Sequence, residues 1–337
     1  AMEEVQRELG LRDDQVIIKT NIPEDDTCYQ EAMNLVDAGC NIIFADSFGH
    51  EAYMLKAAKR APKVLFAHAT GTLAHTENLP NFVNAFASIY EGRFLAGVAA
   101  GLKLNEMIAA NKFTAEEAKM GYVGAYPYAE VISGYTSFYL GAKSVCPTVT
   151  MDVTFTGSWY NETFEKEAAN ALIERGCKLI SQHADSMGAP NACELKKVPN
   201  VSYNGSTAEA CPDTFIVSSR ITWAPYYKYL AEQMQNAKGD VSKANVAKDW
   251  TGTLATGSVE LTAFGKAAAA GTAEKDAEIK AKLEKGEHHV FDTNNFTVNG
   301  KQLSADHKAD VDTDAAFTPD TIVVENGVFF ESKYRTA

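Results

Sequence analysis

The chain has 337 residues, 46% of them apolar and 22% charged, and its 44 acidic against 31 basic side chains leave a formal net charge of −13. That length exceeds one ordinary hydrophobic core and fits two domains. The apolar content argues against disorder, and no apolar run reaches the length of a membrane span. The acidic balance, with Lys and Arg scattered instead of gathered in a stripe, disfavours nucleic acid as a partner. Cys28, Cys40, Cys146, Cys177, Cys193 and Cys211 form no CxxC pair and keep no Cys/His ligand spacing. No zinc site is expected, and these cysteines read as packing residues with their pairing left open.

In chain order, Ala1 to Gly10 fits the last turns of an amphipathic helix closing on glycine. No start signal or signal peptide precedes it, and a stretch before Ala1 is expected to have been removed or not included. Val16 to Lys19 predicts a strand, Cys28 to Ala38 a helix, Asn41 to Ala45 a strand, Glu51 to Arg60 a helix and Val64 to Ala67 a strand. This is the rhythm of a parallel sheet. A long helix is expected from Ile89 to Ala110, followed by a polar stretch from Asn111 to Lys119 that reads as a linker. A second series then begins at Gly121, with helices over 131–143 and 162–175 and strands over 149–155, 179–181 and 215–218. The helix from Ala224 to Lys238 offers Tyr227, Leu230, Ala231 and Met234 as an apolar face and is expected to return to the first lobe. The Ala-, Lys- and Glu-rich stretch 268–287 reads as a solvated helix, and Asn299-Gly300 as a hairpin turn in an acidic, irregular tail.

Asn34 to Ile43 resembles Ala171 to Ile180 nearly position by position: a helix stops on glycine and turns straight into an apolar strand. One copy in each series suggests two similarly built lobes, 1–117 with 221–250 and 118–220 with 251–337. Each copied strand then delivers polar residues, Asp46 to His50 and Gln182 to Ser186, at the edge where open parallel sheets bind ligands.

No G-x-S-x-G, G-x-G-x-x-G, Walker A or H-E-x-x-H pattern occurs, so no cofactor is expected. His183, Asp185 and Ser186 are too close in sequence to make a base–nucleophile–orienter geometry, and ligand hydrogen bonding is their favoured role. A hydrolase or other enzyme using His183 or Asp185 on a small metabolite is the alternative. His68, His75 and the His288-His289 pair read as structural histidines. Glu91 and Arg93 read as an ion pair at a helix start. Phe48, Tyr126, Tyr128, Trp159, Tyr160 and Trp223 fall at expected strand ends or just before helices, and together they suggest stacking on a planar ligand. Thr70-Gly71 and Asn204-Gly205-Ser206 add small polar groups on the same expected edge.

Ser47-Phe48-Gly49, His68-Ala69-Thr70-Gly71, the run Tyr90 to Gly97, Ser158-Trp159-Tyr160-Asn161 and Gln182-His183-Ala184-Asp185-Ser186 resemble the basic membrane protein family, the purine-binding components of ABC importers. The likeness extends to about Phe291. It implies an α/β type I periplasmic-binding-protein fold, two lobes with mostly parallel sheets flanked by helices and a ligand cleft between them. It further implies an extracytoplasmic protein that delivers a purine base or nucleoside to permease subunits, is lipid-anchored upstream of the given residues, and is not an enzyme. Carried over by position, Trp159 matches the aromatic that stacks on the base and Phe48 a second ring. Thr70 stands where nucleoside binders carry an Asp for the ribose, and Arg220 to Trp223 where many carry a Lys. These departures favour a free base or a differently held nucleoside. The expected ligand residues are Phe48, Thr70, Tyr126, Trp159, His183, Asp185, Asn204 and Trp223, with no metal.

Overall fold

A computed structural model describes residues 1–304 and 317–325. In chain order the elements are α1 (Met2–Glu8), α2 (Asp26–Asp37), β1 (Ile42–Ala45), α3 (Glu51–Arg60), β2 (Leu65–Ala69), α4 (Leu73–Glu77), β3 (Phe82–Ala87), α5 (Ile89–Ala109), β4 (Lys119–Gly124), α6 (Ala129–Val145) and β5 (Thr150–Phe155). They continue with α7 (Glu162–Glu174), β6 (Leu179–His183), α8 (Gly188–Lys196), β7 (Asn200–Tyr203), β8 (Phe215–Ile221), α9 (Ala224–Asn236), β9 (Asp249–Gly252), β10 (Val259–Leu261), α10 (Thr272–Glu284) and β11 (Ile322–Val324).

The chain forms two compact units, 1–87 with 222–258 and 88–221 with 259–337. In the first, a parallel four-stranded sheet runs β1-β2-β3-β9. Helix α9 lays Tyr226, Leu230 and Met234 against Leu65, Ala67, Val83 and Ala85; Leu230 and Met234 lie on the expected face, while Tyr226 takes the place expected for Tyr227, which with Ala231 lines a cavity instead. The opposite layer packs Cys28 and Ala32 of α2 with Met54, Leu55, Ala57 and Ala58 of α3 around Ile43, Phe66 and Phe82. Val16 to Lys19, expected as a strand, joins no ladder. Ile17 and Ile18 are 45% and 57% exposed. Residues of both this segment and β1 line a cavity of about 640 Å³.

The second unit holds a seven-stranded sheet in the order β10-β8-β7-β6-β4-β5-β11, parallel except where β10 pairs antiparallel with β8. Helix α5 belongs here, packing on α6, α10 and β8. The unit therefore begins at residue 88, ahead of the boundary expected near 117, and the polar stretch 111–119 leads into β4 within it. Arg93 on α5 is fully buried. Its guanidinium donates to Ser181 Oγ, Ser202 O and Ser219 Oγ on three neighbouring strands and lies against the rings of Tyr122, Phe138 and Tyr203. A strand-tying role thus replaces the expectation of a helix-start pair.

The internal repeat is structural. Gly39 and Gly176 take φ of +87° and +91°. Around them the same pair of bonds closes both helices: Gly39 N–H to Val36 O with Cys40 N–H to Leu35 O, and Gly176 N–H to Ile173 O with Cys177 N–H to Leu172 O. This is the Schellman geometry, which releases each chain directly into β1 and β6. The hairpin at Asn299-Gly300 is also present, with φ of +53° and +72° between the bridged Val298 and Lys301. Much of the expected tail, 305–316 and 326–337, lies outside the described residues, while β11 within it adds an unforeseen parallel strand beside β5. All six cysteines are free thiols. No helix among the described residues is long and apolar enough to cross a membrane.

Candidate ligand-binding site

The carboxyl ends of β4, β5, β6 and β7 gather aromatic and acidic side chains at one edge of the larger sheet. After β4, Tyr126 and Tyr128 stack at 5.2 Å between centroids and 19° between planes. Trp159, in the loop after β5, meets Tyr126 at 5.5 Å and Tyr128 at 6.2 Å. Gly157, at φ +72°, makes the turn that brings this loop round, donating its N–H to Ala125 O. Asn161 then caps α7 by accepting from Phe164 N–H at 2.9 Å. The indole is half-buried and Tyr128 is exposed.

The loop after β6 is fixed from beneath. Gln182 donates its side-chain amide to Ala184 O and Ser186 O. Glu165 of α7, fully buried, accepts from the N–H of Ser186 and of Asn161, each at 3.2 Å. Burial raises its carboxyl above the usual range, and those bonds partly offset the rise. Glu165 thereby ties the Trp159 loop to the Asp185 loop. No motif marks Glu165, yet the sequence carries a signal for it: it shares one helical face with Ala168, Ala169 and Leu172, and a lone carboxylate in an apolar stripe needs buried donors. Asp185 is the one accessible residue of the segment 179–186. Desolvation raises its carboxyl, as does the charge of Glu130, while His183 and an Asn204 hydrogen bond act in the other direction.

His183 lies underneath, with no exposed surface. Its ring covers Tyr203 at 4.2 Å, with Nδ1 3.2 Å from the Tyr122 hydroxyl and Nε2 3.5 Å from Glu130 Oε1. Glu130 also accepts from Tyr203 Oη at 3.4 Å. Burial pushes the Tyr122 hydroxyl up to about 12 and that of Tyr203 well above its ordinary value, so both remain protonated donors. His183 therefore presents no surface of its own to solvent.

The structure brings together Tyr126, Trp159, Asp185 and Asn204 at the edge of the second unit, with His183 below them. Phe48, Thr70 and Trp223 belong to the first unit. Phe48 is 43% exposed in the turn after β1, where Glu24 accepts from Ser47 Oγ and Gly49 N–H. Thr70, at φ +64°, follows β2 and donates its N–H to Ala85 O. Trp223 stands at the N-terminal boundary of α9, half-buried, and packs on Phe44 at 5.7 Å. His68 is fully buried and bonds Ser47 O, and His75 faces Asp249 at 3.3 Å. The cavity between residues 15–22 and 40–47 includes none of the expected ligand residues.

Residues 2–293 match the family described as ABC transporter substrate-binding protein, PnrA-like. The chain belongs to this family. It is 33% identical over 207 residues to a purine-binding protein of Brucella abortus, covering 61% of this chain and 55% of that protein. It is also 33% identical over 187 residues to a putative ABC transporter glucose-binding protein of Haloferax volcanii, covering 56% of this chain and 44% of that one. The chain thus spans about half the length of these curated relatives. A solved ABC transporter solute-binding protein of Conexibacter woesei superposes with a TM-score of 0.62 at 19% identity, over 85% of this chain and 90% of that one. The fold is that of the type I periplasmic-binding proteins, and the family's members are substrate-binding components of ABC importers.

Proposed function

We propose that this chain binds a purine base or nucleoside outside the cytoplasmic membrane and presents it to the permease of an ABC importer, doing no chemistry on it. The observation that carries the ligand class is the cluster of Tyr126, Tyr128 and Trp159 beside the accessible Asp185. A planar heterocycle gains stacking and apolar burial on such rings while a carboxylate reads its edge. The likeness to a purine-binding relative supports the same reading. Phe48 and Thr70 stand at the carboxyl edge of their own sheet, where open α/β sheets bind ligands, and join the proposed ligand residues. A lipid anchor preceding Ala1 belongs to the same proposal, as does delivery to permease subunits.

Of the two groups on which the enzyme alternative rests, His183 is sealed between Tyr122, Tyr203 and Glu130 and cannot reach a substrate atom as acid or base, which leaves that reading with Asp185 alone. A thermal-shift screen against nucleobases, nucleosides, sugars and amino acids tests the proposal, since a ligand bound only by the native state raises Tm by mass action. A rise with purines alone is the expected result. A rise with sugars alone would transfer the site to a carbohydrate ligand.

A further inference from the structure

The polar groups around the aromatic cluster are strongly one-sided. Asp185 and Glu130 are both acceptors when ionised, and Glu130 is engaged by Tyr203 Oη. Arg93, which packs on Tyr122 and Tyr203, is buried and turned to Ser181, Ser202 and Ser219, so its charge is directed into the sheet. Asn204 accepts from Ile221 N–H at 3.5 Å, and its side chain acts on Asp185 as a neighbour that lowers its pKa. Asp185 is held in place by its own N–H, bonded to Trp159 O at 2.8 Å, and its carboxylate remains accessible with lone pairs to spare.

We propose that Asp185 reads the edge of the stacked base and selects purines carrying two adjacent donors, the N1–H and 2-amino group of guanine or guanosine, over adenine. This rests on the purine reading above. Two parallel N–H groups match the two oxygens of a carboxylate in a bidentate, charge-assisted pair. Adenine offers its 6-amino group but sets the N1 lone pair against the second carboxylate oxygen, so one acceptor is repelled and left without a donor. A site built to receive donors discriminates strongly against a ligand that lacks them.

The test is calorimetric titration of the full chain with guanine, guanosine, adenine and adenosine, repeated on Asp185→Asn. The wild type should bind the guanine ligands about tenfold or more tightly than the adenine ligands. An amide presents one acceptor and one donor, the pairing that suits adenine, so D185N should weaken guanine binding by about tenfold or more and hold or improve adenine binding. Because Asp185 is accessible, the variant should keep the wild-type Tm, which separates a change of ligand from a loss of fold. Equal affinity of the wild type for both bases, or equal losses for both in D185N, would overturn the selection by Asp185 and leave the purine reading standing. Absence of heat with every purine would overturn both.

Discussion

Asp185 donates its peptide N–H to the carbonyl oxygen of Trp159 at 2.8 Å, so the accessible carboxylate and the half-buried indole are joined by one backbone link between the loops after β5 and β6. Glu165 holds the same two loops from below through Asn161 and Ser186. Ring and acceptor are thus set relative to each other, and such preorganisation lowers the ordering cost for a ligand that uses both, as the proposed purine would.

Trp159→Ala should reduce purine affinity by about tenfold or more, because a stacked face is lost along with its buried area. The backbone link to Asp185 uses only main-chain atoms, so the fold and Tm should change little. Unchanged affinity in a titration of this variant, with circular dichroism matching the wild type, would remove Trp159 from the site.

The second unit depends on an unusually close helix pair. A Cβ on Gly97 of α5 would fall on the carbonyl oxygen of Phe138, and one on Gly141 of α6 on that of Phe94. Both obstacles are backbone and cannot swing aside. Gly97→Ala and Gly141→Ala should each destabilise the unit by about 2 kcal/mol or more. By contrast Gly205→Ala, where a Cβ meets nothing within 4 Å, should be nearly neutral. Denaturant midpoints of the three variants make the comparison, and equal midpoints for Gly97→Ala and Gly205→Ala would contradict the close crossing.

Much of this arrangement was legible in the sequence, for identifiable reasons. Glu51 to Arg60 forms a helix with those bounds, and the repeated Gly39 and Gly176 stops announce two βα units because a left-handed residue after an amphipathic helix has few other uses. The aromatic cluster could be found because Tyr126 and Trp159 break core periodicity at strand ends. Other features depend on partners distant in sequence. Val16 to Lys19 has strand composition but no ladder, and β11 has a ladder with β5 that three residues of sequence cannot reveal. The boundary at residue 88 depends on what α5 packs against, and the burial of His183 on the ring of Tyr203, twenty residues away.

Asp276 of α10 gives a pH signature. It is 3% exposed, neither carboxylate oxygen has a hydrogen-bond partner among the described residues, and burial pushes its pKa to about 8. The folded state therefore holds the proton more tightly than the unfolded chain, whose carboxyl titrates near 3.8. Its contribution is fully present below about pH 4 and is lost as pH rises through about 8. Asp276→Asn, neutral at every pH, should match the wild type at pH 4 and exceed it by roughly 2–5 kcal/mol at pH 8. Chemical denaturation at both pH values reads the difference, and a gap of equal size at the two would contradict an ionisable orphan at this position.

Purine binding is tested most directly by calorimetric titration of the full chain with purine bases and nucleosides beside glucose, the sugar named for one of its relatives. The expected result is saturable heat with a purine at one site per chain, greatly weakened in Trp159→Ala, and no binding of glucose. Saturable binding of glucose with no heat from any purine would contradict it.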